Sequence, residues 1–259
     1  MVGFNLSNRV AIVTGGGRGI GRAIVLALAR EGSNVVIADV ISADKVVEEV
    51  KAIGRQSLAL RIDVTKMDQV QEMVKKAIDI FGRLDILVNN AGVISLHDIV
   101  ELTEEEWDLI MDVNVKATFL CSKAVVPFMI KQKNGRIINM SSASGREGYA
   151  GATHYCASKF AVIGFTQALA KEMAPHNITV NAVCPGIIHT SMWKYLSIEF
   201  GKKDGSTPEE AWEKSVRENI PLGRPQTPED IANMVAYLAS PYADNITGQS
   251  MSVDGGQVM

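Results

Sequence analysis

The chain has 259 residues, 47% of them apolar, and a formal net charge of -3 with no basic block. That much apolar content supplies a sizeable core and excludes a disordered chain, and the lack of clustered cations excludes a nucleic-acid surface. Three scattered cysteines without a Cys-x-x-Cys pair, no signal-peptide layout at the N-terminus and no uninterrupted apolar run of bilayer length together predict a cytoplasmic protein without a membrane partner.

The first strand is predicted at 9–14 (RVAIVT) and runs into a turn with five glycines among residues 15–21 that opens a helical pattern to about 31. NVVIAD (34–39), SLALRI (57–62) and DILVNN (85–90) read as strands, separated by amphipathic segments at 43–54 and 67–81. A long helical pattern over 104–131 opens on Thr103 and Glu106, a capping-box pair. GRIINMS (135–141), a helix over 153–173 and ITVNAVC (178–184) follow. Residues 189–225 interrupt the alternation, with a polar turn expected at GKKDGST (201–207) and then a helical stretch announced by Thr207-Pro208. Thr227-Pro228 starts a helix over 228–239, and QSMSVD (249–254) reads as an edge strand.

Short apolar strands alternating with helices imply parallel pairing through crossover helices in a sheet covered on both faces. An open doubly wound sheet and a closed barrel both satisfy that order. The glycine turn behind the first strand favours the open α/β sheet, because ligands bind there at the carboxyl edge. No repeat or interdomain linker is present, so a single domain spanning 1–259 is expected, with residues 189–225 as a helical substrate lid.

A strand, a glycine turn and a helix N-terminus make an anion site, since free N–H groups and the helix dipole both favour a pyrophosphate. The spacing Gly15-x-x-x-Gly19-x-Gly21 does not fit G-x-G-x-x-G in any register. Arg18 and Ile20 complete that loop. Asp39 ends the second strand eighteen residues after Gly21, where an acidic residue bonds the adenosine ribose. A carboxylate there accepts from both ribose hydroxyls of NAD and repels the 2′-phosphate of NADP. Arg18 is the one nearby cation that argues the other way, and the carboxylate outweighs it: NAD is expected, NADP less so.

Tyr155 and Lys159 stand four apart at the start of a helical pattern and so share one face. An ammonium beside a phenol favours the phenolate and is expected to bring its pKa down toward neutral. Ser142 closes the fifth strand on the same sheet edge, where its hydroxyl can bond a substrate carbonyl oxygen. No helical His-x-x-x-His or other metal spacing occurs, so no metal is expected.

These segments together resemble the short-chain dehydrogenases/reductases across nearly the whole chain. Thr14 to Gly21 match that family's T-G-x-x-x-G-x-G. NNAG (89–92), with Asn90, Ala91 and Gly92, matches the motif after the fourth strand. DVN (112–114) supplies Asn114, and Ser142, Tyr155 and Lys159 match the catalytic serine, tyrosine and lysine. Asp63 and Val64 match the pair beside the adenine. Pro185, Gly186, Ile188 and Thr190 match the segment that holds the nicotinamide carboxamide.

The resemblance implies a Rossmann-type fold and hydride exchange between the nicotinamide and a carbinol carbon. Tyr155 moves the hydroxyl proton, Lys159 bonds the nicotinamide ribose and lowers the phenol pKa, and Ser142 orients the oxygen. Asn114 supports a water linking Lys159 to solvent, or bonds backbone at a helix kink. CPGIIHTSMW and ITGQSMSVDGGQVM are similar to diol and polyol dehydrogenases of the acetoin/butanediol or sorbitol type, so a small alcohol/ketone is the expected substrate. The alternative is a 3-oxoacyl-acyl-carrier-protein reductase using NADPH, and the remotest rival is a dinucleotide-binding protein without turnover. Ser144, Glu147, His154 and His189 lie near the motifs as further substrate candidates. Met192, Trp193 and Tyr195 either roof the substrate or pack the lid on its own body. The resemblance also implies a homotetramer joined through the helices at 104–131 and 153–173, where Phe119, Val125, Phe128, Phe160 and Phe165 sit.

Overall fold

A computed structural model describes residues 3–259. In chain order it comprises β1 (Val10–Thr14), α1 (Gly19–Arg30), β2 (Asn34–Asp39), α2 (Asp44–Ala52), β3 (Ser57–Arg61), α3 (Met67–Phe81) and β4 (Ile86–Asn89). Then come α4 (Glu104–Met111), one π-helical turn (Asp112–Lys116), α5 (Ala117–Gln132), β5 (Gly135–Met140), α6 (Thr153–Met173) and β6 (Ile178–Pro185). The chain ends with α7 (Ser191–Asp204), α8 (Pro208–Asn219), α9 (Pro228–Ala239) and β7 (Ser250–Val253).

The seven strands form one open parallel sheet in the order β3-β2-β1-β4-β5-β6-β7. The barrel alternative is therefore excluded. Strand order reverses between β1 and β4, which opens a crevice at their carboxyl ends. Residues of β1, β4, β5 and β6 are buried along their whole length, as strands covered on both faces must be. Ile24, Leu28, Val235 and Leu238 fill one side of the sheet, and Val74, Val125, Met129 and Val180 fill the other.

Two elements depart from the sequence reading. The polar run GKKDGST is not a turn: α7 continues through Asp204 and stops at Gly205, whose φ of +77° ends it. Residues 104–132 are one continuous helical segment with a π turn in the middle, long and apolar enough to cross a membrane by length and composition. Half of its most apolar window is buried, with Val125 and Met129 in the core.

The edge of the sheet opposite the crevice is fastened by Asp85. Its carboxylate, 1% exposed as a residue, accepts from Val10 N–H (2.9 Å), Arg9 (3.0 Å) and Arg83 (2.8 and 2.6 Å). Burial pushes the carboxyl up, but these bonds more than offset it and hold it below the ordinary carboxylate range. This support is present at neutral pH and is lost as the pH falls through the lowered pKa. Asp85→Ala should lower stability by about 3 kcal/mol, because the strand N–H and two guanidiniums lose their acceptor. Urea unfolding will show the reduced midpoint, while turnover per folded molecule stays at the parent level, the crevice being at the other end of the strands.

Candidate active site

The carboxyl ends of the strands enclose a cleft of about 690 Å³. Its floor begins with the loop after β1. Gly15 and Gly19 hold φ of +63° and +53°, and a Cβ on Gly21 would stand 1.9 Å from the Gly15 carbonyl oxygen. Helix α1 therefore approaches the loop as only glycine permits. No side chain caps α1 and no acid sits in its first turn, which leaves its N–H groups free for an anion.

The loop is clamped from β4. Thr14 Oγ1 accepts from Asn90 and Ala91 N–H, both at 3.0 Å, and Asn90 Nδ2 donates to the carbonyls of Thr14 (2.9 Å) and Gly15 (3.0 Å). Asn90 thus shapes the glycine turn from across the crevice. Asp39 Oδ2 accepts from Gly17 N–H at 2.9 Å, which aims the carboxylate along the loop. Arg18, Ile20, Asp63 and Val64 line the same end. Burial raises the Asp63 carboxyl, and two bonds from Thr65 (2.9 and 2.7 Å) turn the balance downward, so it stays ionised.

At the other end Ser142, Tyr155 and Lys159 line the cleft with Gly92, Pro185, Gly186, Ile188 and Thr190. A Cβ on Gly186 would meet Gln226 and Gln257 oxygens at 2.7 Å, so the wall comes as close as glycine allows. Lys159 is 5% exposed, and its Nζ donates to the Met140 carbonyl at 2.9 Å and lies 5.6 Å from the Tyr155 ring centre.

Burial pushes the Tyr155 phenol up to about 12, against the Ser142 hydroxyl beside it, and holds the Lys159 ammonium down to about 8. The expected acidification of the phenol by Lys159 is not met in the protein alone. Both groups are out of water, and the ammonium is directed to a backbone carbonyl rather than to the phenol oxygen.

Asn114 does not line the cleft. It lies on the π turn, 1% exposed, with Oδ1 accepting from Val93 N–H (2.9 Å) and Nδ2 donating to Val93 O and Ser158 Oγ (both 3.0 Å). Of its two expected roles, the structure displays the backbone-bonding one. His154 is fully buried with Nε2 2.8 Å from Ser95 Oγ, and His189 packs edge-on to Trp212 at 5.1 Å; neither faces the cleft. Ser144, Met192, Trp193 and Tyr195 do. Trp193 also stacks edge-on with Trp212 at 5.6 Å, so it roofs the cleft and joins α7 to α8 at once.

The sequence reading missed Ser141, Tyr149 and Gln257. Ser141 Oγ donates to the Lys159 carbonyl at 2.9 Å and anchors α6 to the end of β5. Its neighbour Gly145 must be glycine, since a Cβ there would lie 2.3 Å from that hydroxyl. Tyr149 and Gln257 meet on the cleft wall although they are 108 residues apart. The serine pair at 141–142 and the glycine doublet at 255–256 were visible signals, but nothing in their spacing pointed to a contact.

Residues 9–199 match the family described as short chain dehydrogenase. A 3-oxoacyl-[acyl-carrier-protein] reductase of Staphylococcus epidermidis is 45% identical over 255 residues, covering 97% of this chain and 100% of that one. The Synechocystis enzyme of that name is 42% identical, covering 98% of both. Carveol dehydrogenase of Mycobacterium avium, solved with NAD, superposes with a TM-score of 0.93 at 29% identity over 98% of both chains. The diol and polyol likeness of the short segments has no counterpart among these names.

The buried Lys159 cation is destabilising in the protein alone, by about 3 kcal/mol for a lysine held at about 8 rather than 10.5. Lys159→Met should raise the thermal midpoint at pH 7 while abolishing turnover. The unfolded lysine binds its proton up to about 10.5 and the folded one only to about 8, so the variant's advantage should shrink as pH rises from 8. Calorimetry between pH 7 and 10 reads this, and an advantage that grows with pH refutes the account.

Proposed function

The chain belongs to the short-chain dehydrogenase family and is a nicotinamide-dependent oxidoreductase acting on a CH–OH or carbonyl group; from that premise we propose that it reduces the keto group of a 3-oxoacyl thioester. The observation that carries the substrate class is the full-length similarity to reductases of that name, at 45% and 42% identity. The geometry that carries the chemistry is the meeting of Ser142, Tyr155 and Lys159 beside the glycine loop in one cleft.

A bound dinucleotide supplies the hydride. The loop from Gly15 to Gly21 holds its pyrophosphate, Asp39 its adenosine ribose, Asp63 and Val64 its adenine, and Asn90, Ala91, Gly92 and Pro185 to Thr190 its nicotinamide half. The glycine cradle and the uncapped N-terminus of α1 fit such a group. Tyr155 donates its proton to the carbonyl oxygen on reduction and takes it back on oxidation. Burial keeps the phenol in its protonated form, which is the form the acid role requires. Ser142 bonds the same oxygen and shares its growing charge. Lys159 supplies fixed positive charge beside the phenol, and Asn114 positions Val93 and Ser158 behind it.

We further propose NAD(H) as the cofactor, on the strength of Asp39, and a cytoplasmic homotetramer. Support for assembly is the exposure of Phe119, Phe128 and Phe160 on α5 and α6, whereas Val125 belongs to the core.

A second reading, NAD-linked oxidation of a small secondary alcohol, diol or polyol, draws on two observations. Asp39 disfavours the phosphorylated cofactor, and two of the three lysines of α7 are engaged by acids, Lys203 with Asp98 and Lys202 with Glu199, both at 2.7 Å. Within α7 only Lys194 stands outside these pairs, which is little positive charge to offer an acidic carrier protein. Assays of acetoacetyl thioester reduction, and of diol and polyol oxidation, each with both cofactors, separate the readings. Thioester reduction without diol oxidation upholds the first, and the reverse pattern upholds the second. In either case Tyr155→Phe should cut turnover about 10²–10⁴-fold with NADH affinity retained, and undiminished turnover removes Tyr155 from the chemistry.

Asp39→Ala should move the ratio of kcat/KM for NADH over NADPH at least about tenfold toward NADPH, since it removes a charged acceptor from the ribose site. A ratio that stays put means Asp39 does not read the ribose.

A further inference from the structure

Beyond the reacting groups, the substrate end of the cleft is largely apolar, with Ile94, Leu96, Met192, Trp193 and Phe200 on its wall. Polar side chains share that end, among them Ser144, Tyr195, Ser215 and Asn219, and Tyr149 differs from these in having its hydroxyl fixed by two other side chains. Its ring packs in one cluster with Tyr155, Ile94 and Leu96, and it lines the same cleft as Ser142 and Tyr155. That phenol accepts from Gln257 Nε2 at 3.0 Å and donates to Glu147 Oε2 at 3.3 Å.

A phenol oxygen has one proton and two lone pairs. Glu147 takes the proton and Gln257 fills one lone pair. One acceptor position remains, and it can only receive a hydrogen bond.

Gln257 is held for this task. The buried Asp254 accepts from Gly256 N–H (3.0 Å) and Val258 N–H (3.1 Å), closing the C-terminal tail into a turn with φ of +69° and +88° at Gly255 and Gly256. Leu222 N–H donates to the Gly255 carbonyl at 3.1 Å, which ties the turn to the segment after α8. Arg146 reaches from the loop of Tyr149 to the Ser250 carbonyl (3.1 Å) and Ser252 Oγ (3.2 Å) of β7. Loop and tail are therefore joined twice.

We propose that Tyr149, positioned by Gln257, is the specificity-determining residue of this cleft, and that it reads a hydrogen-bond donor carried by the substrate away from its reacting carbon. The proposal rests on the hydride-transfer reading above. Two substrate chemistries carry such a donor: the hydroxyl of a hydroxyketone or diol, and the amide N–H of a thioester's carrier arm. A thioester or ketone without that donor leaves the phenol lone pair empty.

The test uses two substrate pairs, each differing in the donor: 3-hydroxy-2-butanone against 2-butanone, and the acetoacetyl thioester of N-acetylcysteamine against that of ethanethiol. Wild type, Tyr149→Phe and Gln257→Ala are compared, with NADH binding as the check on folding. In at least one pair, Tyr149→Phe should lower kcat/KM for the donor-bearing member about tenfold and leave the other member unchanged. Gln257→Ala should shift the ratio in the same direction by less. The pair that responds identifies the donor. A discrimination ratio unaltered in both pairs, or an equal loss on all four substrates, overturns the proposal. If wild type reduces none of them with either cofactor, the hydride-transfer reading falls and takes this one with it.

Discussion

One ammonium held out of water sets the terms for the rest of the site. Lys159 has its charge in a wall that excludes solvent, with a single backbone carbonyl, Met140 O, as its direct partner. In low dielectric an ammonium interacts more strongly with every neighbouring dipole and charge, and costs more to keep. The protein tolerates it because both ends of the arrangement are fixed elsewhere. Ser141 pins the Lys159 carbonyl, and Asn114 pins Ser158 one residue before it. Asp85, at the far edge of the sheet, supplies the well-bonded counterpart: a buried charge whose acceptor capacity is used by one strand N–H and two arginines. One end of the sheet carries a satisfied charge and the other an unsatisfied one, and the reactive groups gather at the second.

The same asymmetry explains why the phenol does not titrate easily in the protein alone. Tyr155 and Lys159 are displaced in opposite directions by burial, each toward its neutral form. Four-residue spacing puts them on one helix face, but it does not decide whether desolvation or mutual attraction wins. Here desolvation wins for both, because the ammonium faces a carbonyl and the phenol oxygen faces the Ser142 hydroxyl.

Much of this was legible from the residues. The strand runs were clear because parallel, doubly covered strands read as short blocks of Val and Ile, and the glycine turn fixed the open sheet over the barrel. Residues 201–204 were misread, because a glycine and two lysines look like a turn until the helix before them is seen to run on to Gly205. The π turn at Asn114 had no local signature, since a register change of one residue leaves apolar spacing almost intact. The substrate wall was the least legible part. Tyr149 and Gln257 belong to segments that meet only after seven strands have been ordered, and no periodicity records such a contact.

That contrast follows from how the two ends of the cleft are built. The dinucleotide end depends on backbone: φ values that glycine alone adopts freely, N–H groups at a helix start, and a clamp between Thr14 and Asn90. Backbone geometry of this kind demands particular residues at particular spacings, so it leaves a motif. The substrate end depends on side chains offered by three loops, α7 and the C-terminal tail, each of which packs acceptably with many residues. Nothing in the sheet constrains which polar atom faces the ligand there. The motifs common to the family are therefore written locally in the chain, whereas the contact of Tyr149 with Gln257 joins segments 108 residues apart and is seen only in the folded arrangement.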